Sequence, residues 1–197
     1  MVEARKQVEA TPGGFPPGLA KLVAEAGNRA KARPVERWNP PYCGEIDMRI
    51  AADGSWHYRG SVIAREPLVR LFASILRRED DNRHFLVTPV EKVGIAVDDA
   101  PFTAVEVLVE GEGAERRLTF RTNVGDIVEA GPDHPLRFAE EAGTGGLKPY
   151  VKVRGRLEAL ATRPVALELV AIAEEDEGRL GIWSGGAFYS FVESKRG

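Results

Sequence analysis

Hydrophobic residues recur at two different spacings along this chain, one typical of helices and one typical of strands. The positions where the spacing changes predict the boundaries of the secondary-structure elements. Apolar residues three and four apart run through PLVRLFASILRRE, from Pro67, and PVALELVAIAEED, from Pro164, which predicts an amphipathic helix in each stretch. Proline suits the first turn of a helix because its missing N–H would have no partner there. LAKLVAEAGNRAKA, from Leu19, has the same helical spacing and is closed by a proline-rich linker.

Alternation of apolar and polar residues marks the strands. Ile46, Met48 and Ile50 alternate with polar residues in GEIDMRIAADGSWHYRGSVI, where ADGS supplies the turn of a β-hairpin. From His84 onward the β-rich stretches are HFLVTP, VEKVGIAV, FTAVEVLVE, ERRLTFRTN, HPLRF, PYVKVRG and the hairpin GRLGIWSGGAFYSF. Because these strands follow one another through short turns, the predicted class is α+β with mostly antiparallel sheets.

Two stretches of the chain share one order of features. They are YRGSVIAREPLVRLFASILRREDDNRHFLVTP and VRGRLEALATRPVALELVAIAEEDEGRLGIWSG. Each has Arg-Gly at a strand end, a proline-initiated apolar helix, acidic residues and then an apolar strand. The shared order indicates an internal duplication that gives two similar lobes, each a mostly antiparallel sheet packed on a helix. A cleft between such lobes is where a small ligand would preferentially bind.

These patterns divide the chain into four parts. Residues 1–18 are polar, end in TPGGFPPG and predict a flexible tail. Residues 19–39 predict an N-terminal helix with its proline linker. Residues 40–100 and 101–197 predict the first and second α+β lobes.

Composition narrows the classes of partner. The 197 residues are 43% hydrophobic, enough for a substantial core, and carry a formal net charge of −3. No overall positive field favours non-specific nucleic acid or an anionic membrane surface. No apolar run approaches the roughly 18 residues that span a bilayer, and the N-terminus lacks a secretory apolar region, so we expect a cytoplasmic protein. Cys43 is the only cysteine, which excludes an intrachain disulfide and leaves its reactivity open.

The stretch GTGGLKPYVKVRG, residues 143–155, resembles a phosphate-binding glycine loop at first reading. A Walker loop requires Ser or Thr after the lysine and a helix beyond it. Here Pro149 follows Lys148 and the next element is a strand. The stretch is therefore a glycine-rich connection into a strand, and Lys148 remains a point charge that can meet a phosphate.

Motifs for metal or nucleophilic chemistry are not present in the sequence. The three histidines, His57, His84 and His134, lie far apart and never at HxxxH or HxH spacing, so no metal site is predicted. Ser184 is not a hydrolase nucleophile by motif, because Ile182 stands where GxSxG requires glycine. No catalytic residue and no cofactor is assigned.

Basic and aromatic side chains share strands in the second half of the chain. If its strand is regular, Tyr150 shares one face with Lys148, Lys152 and Arg154, while the intervening valines point to the core. Such a row suits an anionic, ring-bearing ligand through phosphate contacts and stacking, with a plain solvated sheet face as the alternative. The candidate ligand-binding residues are Lys148, Tyr150, Arg154, Arg121 and Trp183.

Roughly residues 40–192 resemble the uncharacterised bacterial family called domain of unknown function 1285. The resemblance rests on DGSWHYRGSVIAREPLVRLFASILRRE, FLVTPVEKVGIAVDDAPF, LTFRTN, HPLRF, LKPYVKVRGRLEAL and WSGGAFYSF in that order. It implies an α+β protein with an internal duplication and a second lobe similar in outline to pleckstrin-homology-like folds. It implies no established enzymatic activity, a nucleotide-like ligand at the domain interface and a part in bacterial signalling. Gly125 departs from the usual pattern, which leaves the contacts of its loop open.

Three classes of function stay open. The first is a non-catalytic small-molecule binding or sensor protein with an anionic nucleotide-like ligand in the cleft between the lobes. The second is a hydrolase or transferase acting on a phosphorylated metabolite, with acidic residues or histidine placed only by the fold. The third is a structural or interaction protein that binds a protein partner or self-associates through its lobes and edge strands. Without a catalytic motif the first is favoured, and enzyme activity stays uncertain.

Overall fold

The chain divides between Asp98 and Asp99 into two units, called the first and second lobes below. The computed structural model describes residues 14–25 and 33–192. Three α-helices of nine residues each lie within these ranges, and none is long and apolar enough to cross a bilayer. They are Pro17–Glu25 (α1), Glu66–Ser74 (α2) and Arg163–Ala171 (α3).

Six strands of the first lobe form one sheet in the order β3-β2-β1-β6-β5-β4. Their bounds are Tyr42–Ile50 (β1), Trp56–Tyr58 (β2), Ser61–Val62 (β3), Leu76–Arg78 (β4), His84–Val87 (β5) and Lys92–Val97 (β6). All neighbours pair antiparallel except β1 and β6, which are parallel. Helix α2 packs on this sheet through Phe72, whose ring stacks 6.2 Å from that of the buried Trp56.

The segment before α1 is packed against the first lobe, although the sequence assigned residues up to 18 to a tail. The Phe15 ring lies 4.6 Å from that of Tyr58 and 5.3 Å from that of Phe72. The buried Glu91 carboxylate accepts a hydrogen bond of 2.7 Å from the Leu19 N–H, which has no partner within its own helix. One aromatic contact and one helix cap therefore fix residues 15–19 to the first lobe, and the rest of the predicted tail, residues 1–13, lies outside the described residues.

Nine strands of the second lobe form a six-stranded sheet, β10-β11-β12-β7-β8-β9, and a three-stranded sheet, β13-β14-β15. In the larger sheet only β12 and β7 pair parallel. The bounds are Phe102–Glu110 (β7), Arg117–Thr122 (β8), Ile127–Glu129 (β9), Leu136–Glu140 (β10), Leu147–Arg154 (β11), Leu157–Ala161 (β12), Glu174–Asp176 (β13), Arg179–Ser184 (β14) and Ala187–Ser190 (β15).

The duplication is visible as one path followed twice. In each lobe an antiparallel three-stranded unit leads into a nine-residue helix with proline second, then into another three-stranded unit. The first lobe traces β1-β2-β3-α2-β4-β5-β6 and the second β10-β11-β12-α3-β13-β14-β15. Both helices end at an isoleucine of nearly the same conformation, Ile75 (φ −113°, ψ 8°) and Ile172 (φ −104°, ψ 10°). The predicted α+β class with two similar lobes is confirmed.

The lobes differ in how the two halves of the repeat meet. In the first lobe β1 and β6 pair and join both halves into one sheet. In the second lobe β10 and β15 belong to different sheets. Phe138 of β10 contacts Phe191, the residue after β15, and their ring centroids are 4.7 Å apart. The six-stranded sheet of the second lobe is completed at β12, which pairs with β7. Strand β7 begins the three-stranded meander β7-β8-β9, which precedes the second repeat in the chain.

Both helices of the repeat end earlier than their apolar pattern predicts. The segments expected as their last turns, Leu76–Arg78 and Glu174–Asp176, are strands that pair with β5 and β14. Leu76 is fully buried in its strand, so pairing and burial outweigh the helix propensity of the leucine and arginines there.

Candidate functional site

One face of the larger second-lobe sheet gathers charged side chains around a tyrosine. In the register of β10, β11 and β12, Arg137 lies opposite Tyr150, Lys148 lies two residues before Tyr150, and Lys152 lies opposite Glu158. Side chains alternate along a strand, so the residues between them point to the other face. That face is the core, formed by Leu136, Phe138, Val151 and Val153. We call Arg137, Lys148, Tyr150, Lys152, Glu158 and the nearby Asp99 the Tyr150 cluster.

Asp99 joins two of the predicted residues. The Tyr150 hydroxyl donates a hydrogen bond of 2.8 Å to Asp99 Oδ1, and Lys148 Nζ forms an ion pair with Asp99 Oδ2. Tyr150 is only 6% exposed, so its hydroxyl needs such an acceptor. Asp99 stands at the start of the second lobe, three residues before β7, and thus holds one carboxylate in front of both donors.

Arg137 covers the ring of Tyr150. Its guanidinium carbon lies 3.9 Å from the ring centroid, the distance of a stacked cation–π pair. The same guanidinium donates two hydrogen bonds, of 3.0 and 2.9 Å, to the two carboxylate oxygens of Glu158. One face of the Tyr150 ring is occupied in this way and the residue is buried, whereas the Arg137 side chain is 43% exposed. The accessible planar group of the cluster is therefore that of Arg137 rather than that of Tyr150.

The protonation states of the cluster follow from these contacts. The hydrogen bond to Asp99 raises the pKa of Lys148, and that to Glu158 raises the pKa of Arg137. Burial, and then the hydrogen bond to Asp99, raises the pKa of Tyr150. Near neutral pH the cluster therefore holds protonated donors on Lys148, Arg137 and Tyr150.

The balance of charge in the cluster is positive. Arg137, Lys148 and Lys152 supply three positive charges against the two carboxylates of Asp99 and Glu158. Within residues 14–25 and 33–192, Lys152 has no ion-pair partner, although it lies opposite Glu158 in the strand register. The face thus keeps one cation uncompensated in a chain whose net charge is −3.

Arg154 does not join the cluster. The register shifts between Lys152 and Arg154, so Arg154 lies opposite Leu157, a core residue. Its guanidinium forms a 2.5 Å ion pair with Asp126, and its guanidinium carbon lies 4.9 Å from the ring centroid of Phe102. The regular strand on which the shared face was predicted ends at this irregularity, because one extra residue moves the following side chain to the other face.

Arg121 and Trp183 also lie elsewhere in the second lobe. Arg121 Nε on β8 forms a 2.6 Å ion pair with Glu106 on β7. The Trp183 ring on β14 lies 5.3 Å from that of Phe188 on β15. Among the described residues, neither Arg121 nor Trp183 makes a hydrogen bond, ion pair or ring contact with the Tyr150 cluster.

Four members of the cluster were not among the predicted ligand-binding residues: Asp99, Arg137, Lys152 and Glu158. Of these, Lys152 was predicted to share the face of Tyr150. Arg137 stands in the quoted strand HPLRF, but only the pairing register shows that it faces Tyr150. Asp99 is 51 residues from Tyr150 along the chain, and no local pattern connects them. The available signal in the sequence was the pair Asp98-Asp99 just before the strand that begins at Phe102.

Family models account for both lobes. The model described as "Domain of unknown function (DUF1285), N-terminal domain" matches residues 33–100. The model described as "Protein of unknown function (DUF1285), C-terminal domain" matches residues 101–191. Together they cover most of the chain.

Two solved structures resemble this fold. A DUF1285 family protein from Silicibacter pomeroyi DSS-3 is 50% identical, with a TM-score of 0.82 over 87% of this chain and 92% of that one. A DUF1285 family protein from Shewanella baltica OS155 is 27% identical, with a TM-score of 0.50 over 64% of this chain and 91% of that one. No curated protein matches the sequence.

Proposed function

Because the chain belongs to the DUF1285 family, a family of unknown function, we propose from its own geometry that it binds an anionic, nucleotide-like small molecule without catalysing a reaction. The observation that carries this proposal is the Tyr150 cluster. It combines a guanidinium plane stacked on a buried tyrosine with two lysines on the same sheet face. We place the ligand on this face of the second lobe.

The ring of such a ligand would stack on Arg137. A guanidinium is planar and weakly hydrated, so aromatic rings pack on its face, and Arg137 is held flat by Tyr150 beneath it and by Glu158 at its edge. A cation–π contact between a ring and a guanidinium contributes about 0.5–1 kcal/mol at an exposed site and about 2 kcal/mol when it is desolvated. A position fixed in advance reduces the entropy lost on binding.

The anionic group of the ligand would meet the lysines. Lys148 is a compact point charge on one side of Tyr150, and Lys152 is the uncompensated cation on the other. The Tyr150 hydroxyl adds a neutral donor next to Lys148. This arrangement suits a phosphate better than a neutral group because each contact is a hydrogen bond donated to the ligand, and bonds to a charged acceptor are the stronger class.

A sensing role agrees with the state of these groups. The raised pKa values of Lys148 and Tyr150 leave neither side chain as a base near neutral pH, and both carboxylates of the cluster are engaged in ion pairs. We propose that the ligand is recognised rather than converted, in the cytoplasm, as part of bacterial signalling.

Thermal unfolding in the presence of nucleotides, dinucleotides and phosphorylated metabolites tests this proposal. A ligand at 100 times its dissociation constant should stabilise the protein by about 2.7 kcal/mol. The variants Arg137→Met and Lys152→Met should lose that gain. Arg121→Met is the matched control, since it removes a cation of the same lobe outside the cluster and should retain the gain. A gain lost equally in all three variants, or no gain with any compound, contradicts the proposal.

A protein-interaction role is the second candidate, and exposed apolar side chains of the second lobe favour it. Leu108, Ile127 and Leu167 are 57%, 70% and 60% exposed. Exposed apolar side chains mark a contact surface where they form a contiguous patch, so the test below substitutes one of them. Light scattering over a wide concentration range, with Leu167→Asp as the variant, tests self-association. A monomer at every concentration excludes self-association, and a pulldown then tests a different partner.

A further inference from the structure

Two adjacent aspartates mark the boundary of the lobes, and each is bound to a different lobe. Asp98 closes the first lobe and accepts a 2.7 Å hydrogen bond from Arg49 Nε, with a second contact from the same guanidinium. Asp99 opens the second lobe, forms an ion pair with Lys148 and accepts a hydrogen bond from the Tyr150 hydroxyl. The Asp99 carboxylate thus occupies the donors to which the proposed ligand would bind.

We propose that Asp99 is an internal stand-in for the anionic group of the ligand, and that the ligand is a phosphate monoester that displaces it. This inference rests on the function proposed above and names its ligand class and its competitor. The carboxylate has the geometry expected of such a stand-in, with one oxygen on Lys148 and the other on the Tyr150 hydroxyl.

The need to displace Asp99 selects the charge of the ligand. A group tethered by the chain competes at an effective concentration of millimolar or more, so a free monocarboxylate of equal charge gains little over it. A phosphate monoester carries about −1.5 to −2 charges at pH 7 and three acceptor oxygens. It can replace Asp99 on Lys148 and Tyr150, and it brings additional negative charge. Lys152 on the same sheet face, the one cluster cation without an ion-pair partner in the described chain, attracts that charge.

Displacement of Asp99 by the ligand would change the contacts of Asp99 but not those of Asp98. Asp98 keeps its two contacts with Arg49, because these lie within the first lobe. Asp99 would exchange its contacts in the second lobe for water. Binding of the ligand would therefore free the side chain of Asp99, the first residue of the second lobe, from Lys148 and Tyr150.

Calorimetric titration with AMP and with inorganic phosphate tests the competition. In Asp99→Asn the competing charge is removed while the side chain keeps its shape, and AMP should bind at least about tenfold more tightly than to the wild type. Asp98→Asn is the matched control: it removes the same charge one residue earlier, so its affinity for AMP should equal that of the wild type. Equal tightening in both variants would reduce the effect to general electrostatics and overturn the inference.

Carboxyl labelling of the wild-type protein gives a second measurement that needs no variant. A carbodiimide and glycine ethyl ester modify carboxylates that are free in water, and Asp98 provides the internal reference on the same peptide. Saturating AMP should raise labelling at Asp99 severalfold and leave Asp98 unchanged. Unchanged or reduced labelling of Asp99 under saturation overturns the displacement.

The two proposals fail in different ways. Wild-type binding of AMP that Lys152→Met weakens but Asp99→Asn does not strengthen overturns the role of Asp99 and leaves the binding function intact. Absence of binding of AMP and of inorganic phosphate to both the wild type and Asp99→Asn overturns the phosphate monoester class. A hit in the thermal screen with an anion of another class would then still support the binding function.

Discussion

Lowering the pH from 7 to 5 should destabilise the first lobe through one histidine, His84. This residue begins β5, which lies between β4 and β6 in the first-lobe sheet, and it is 9% exposed. Its Nε2 atom is buried without a hydrogen-bond partner among the described residues. Burial, and then the positive charge of Arg78 opposite it on β4, lowers the pKa of His84 from 6.5 to about 4.

The sign and size of the effect follow from that difference. Between pH 6.5 and about 4 the unfolded chain binds a proton at His84 that the folded chain does not, so the free energy of unfolding falls as the pH falls. One pKa unit corresponds to about 1.4 kcal/mol. The expected loss is about 2 kcal/mol between pH 7 and pH 5, and about 3 kcal/mol once the pH is below 4.

Urea unfolding followed by tryptophan fluorescence measures this loss. A Trp183→Phe background leaves only Trp38 and Trp56, so the signal reports the first lobe. In this background His84→Gln, which cannot be protonated near pH 5, should have an unfolding free energy that falls by about 2 kcal/mol less over the same interval. Carboxylates that titrate below this range affect both proteins alike and cancel in the comparison.

A variant of Arg78 separates the two causes. Burial is the larger cause, so Arg78→Met should retain most of the loss between pH 7 and pH 5. If His84→Gln shows the same pH dependence as its parent, the buried histidine is not the source. If Arg78→Met abolishes the dependence, the charge of Arg78 and not desolvation controls the pKa of His84.

Three further substitutions test packing and capping, each by urea unfolding. Ser184→Ala should cost about 1–3 kcal/mol, because the buried hydroxyl bridges two backbone groups in the second lobe. Gly181→Ala should cost about 1–3 kcal/mol, since the added Cβ would lie 2.3 Å from a backbone oxygen of β15 and against the Phe188 ring. Glu91→Gln should cost about 1 kcal/mol by weakening the cap on Leu19, and increased proteolysis within Pro17–Glu25 should accompany it. Unchanged stability in any one would refute the contact assigned to it.

Much of the repeat could be predicted from local signals. The apolar spacing after Pro67 and Pro164 identified both helices, and the structure begins each one residue before its proline. The alternation around Met48 identified the hairpin of β1 and β2. These features depend on neighbours a few residues apart, which is why the order of elements in the two stretches was sufficient to indicate a duplication.

The sequence predicted only those members of the candidate site that lie on one strand, β11. Lys148, Tyr150 and Lys152 share a face because side chains alternate along β11, and their spacing shows this directly. Arg154 was placed with them on the same rule, and the register shift after Lys152 moved it to Asp126 and Phe102. A shift of this kind depends on how β12 pairs with β11, and the sequence of β11 does not contain it.

The sequence by itself determined where the two helices of the repeat begin, to within one residue, which faces of the predicted strands are apolar, and that the chain repeats one path. Tertiary structure decided where the helices end, because burial of Leu76 in a paired strand outweighs its helix propensity. It also decided the chemistry of the Tyr150 cluster, since Asp99 and Arg137 reach Tyr150 only through the sheet topology of the second lobe. Hydrogen bonds and ion pairs act over a few ångströms in space, and 51 residues of chain separate Asp99 from Tyr150.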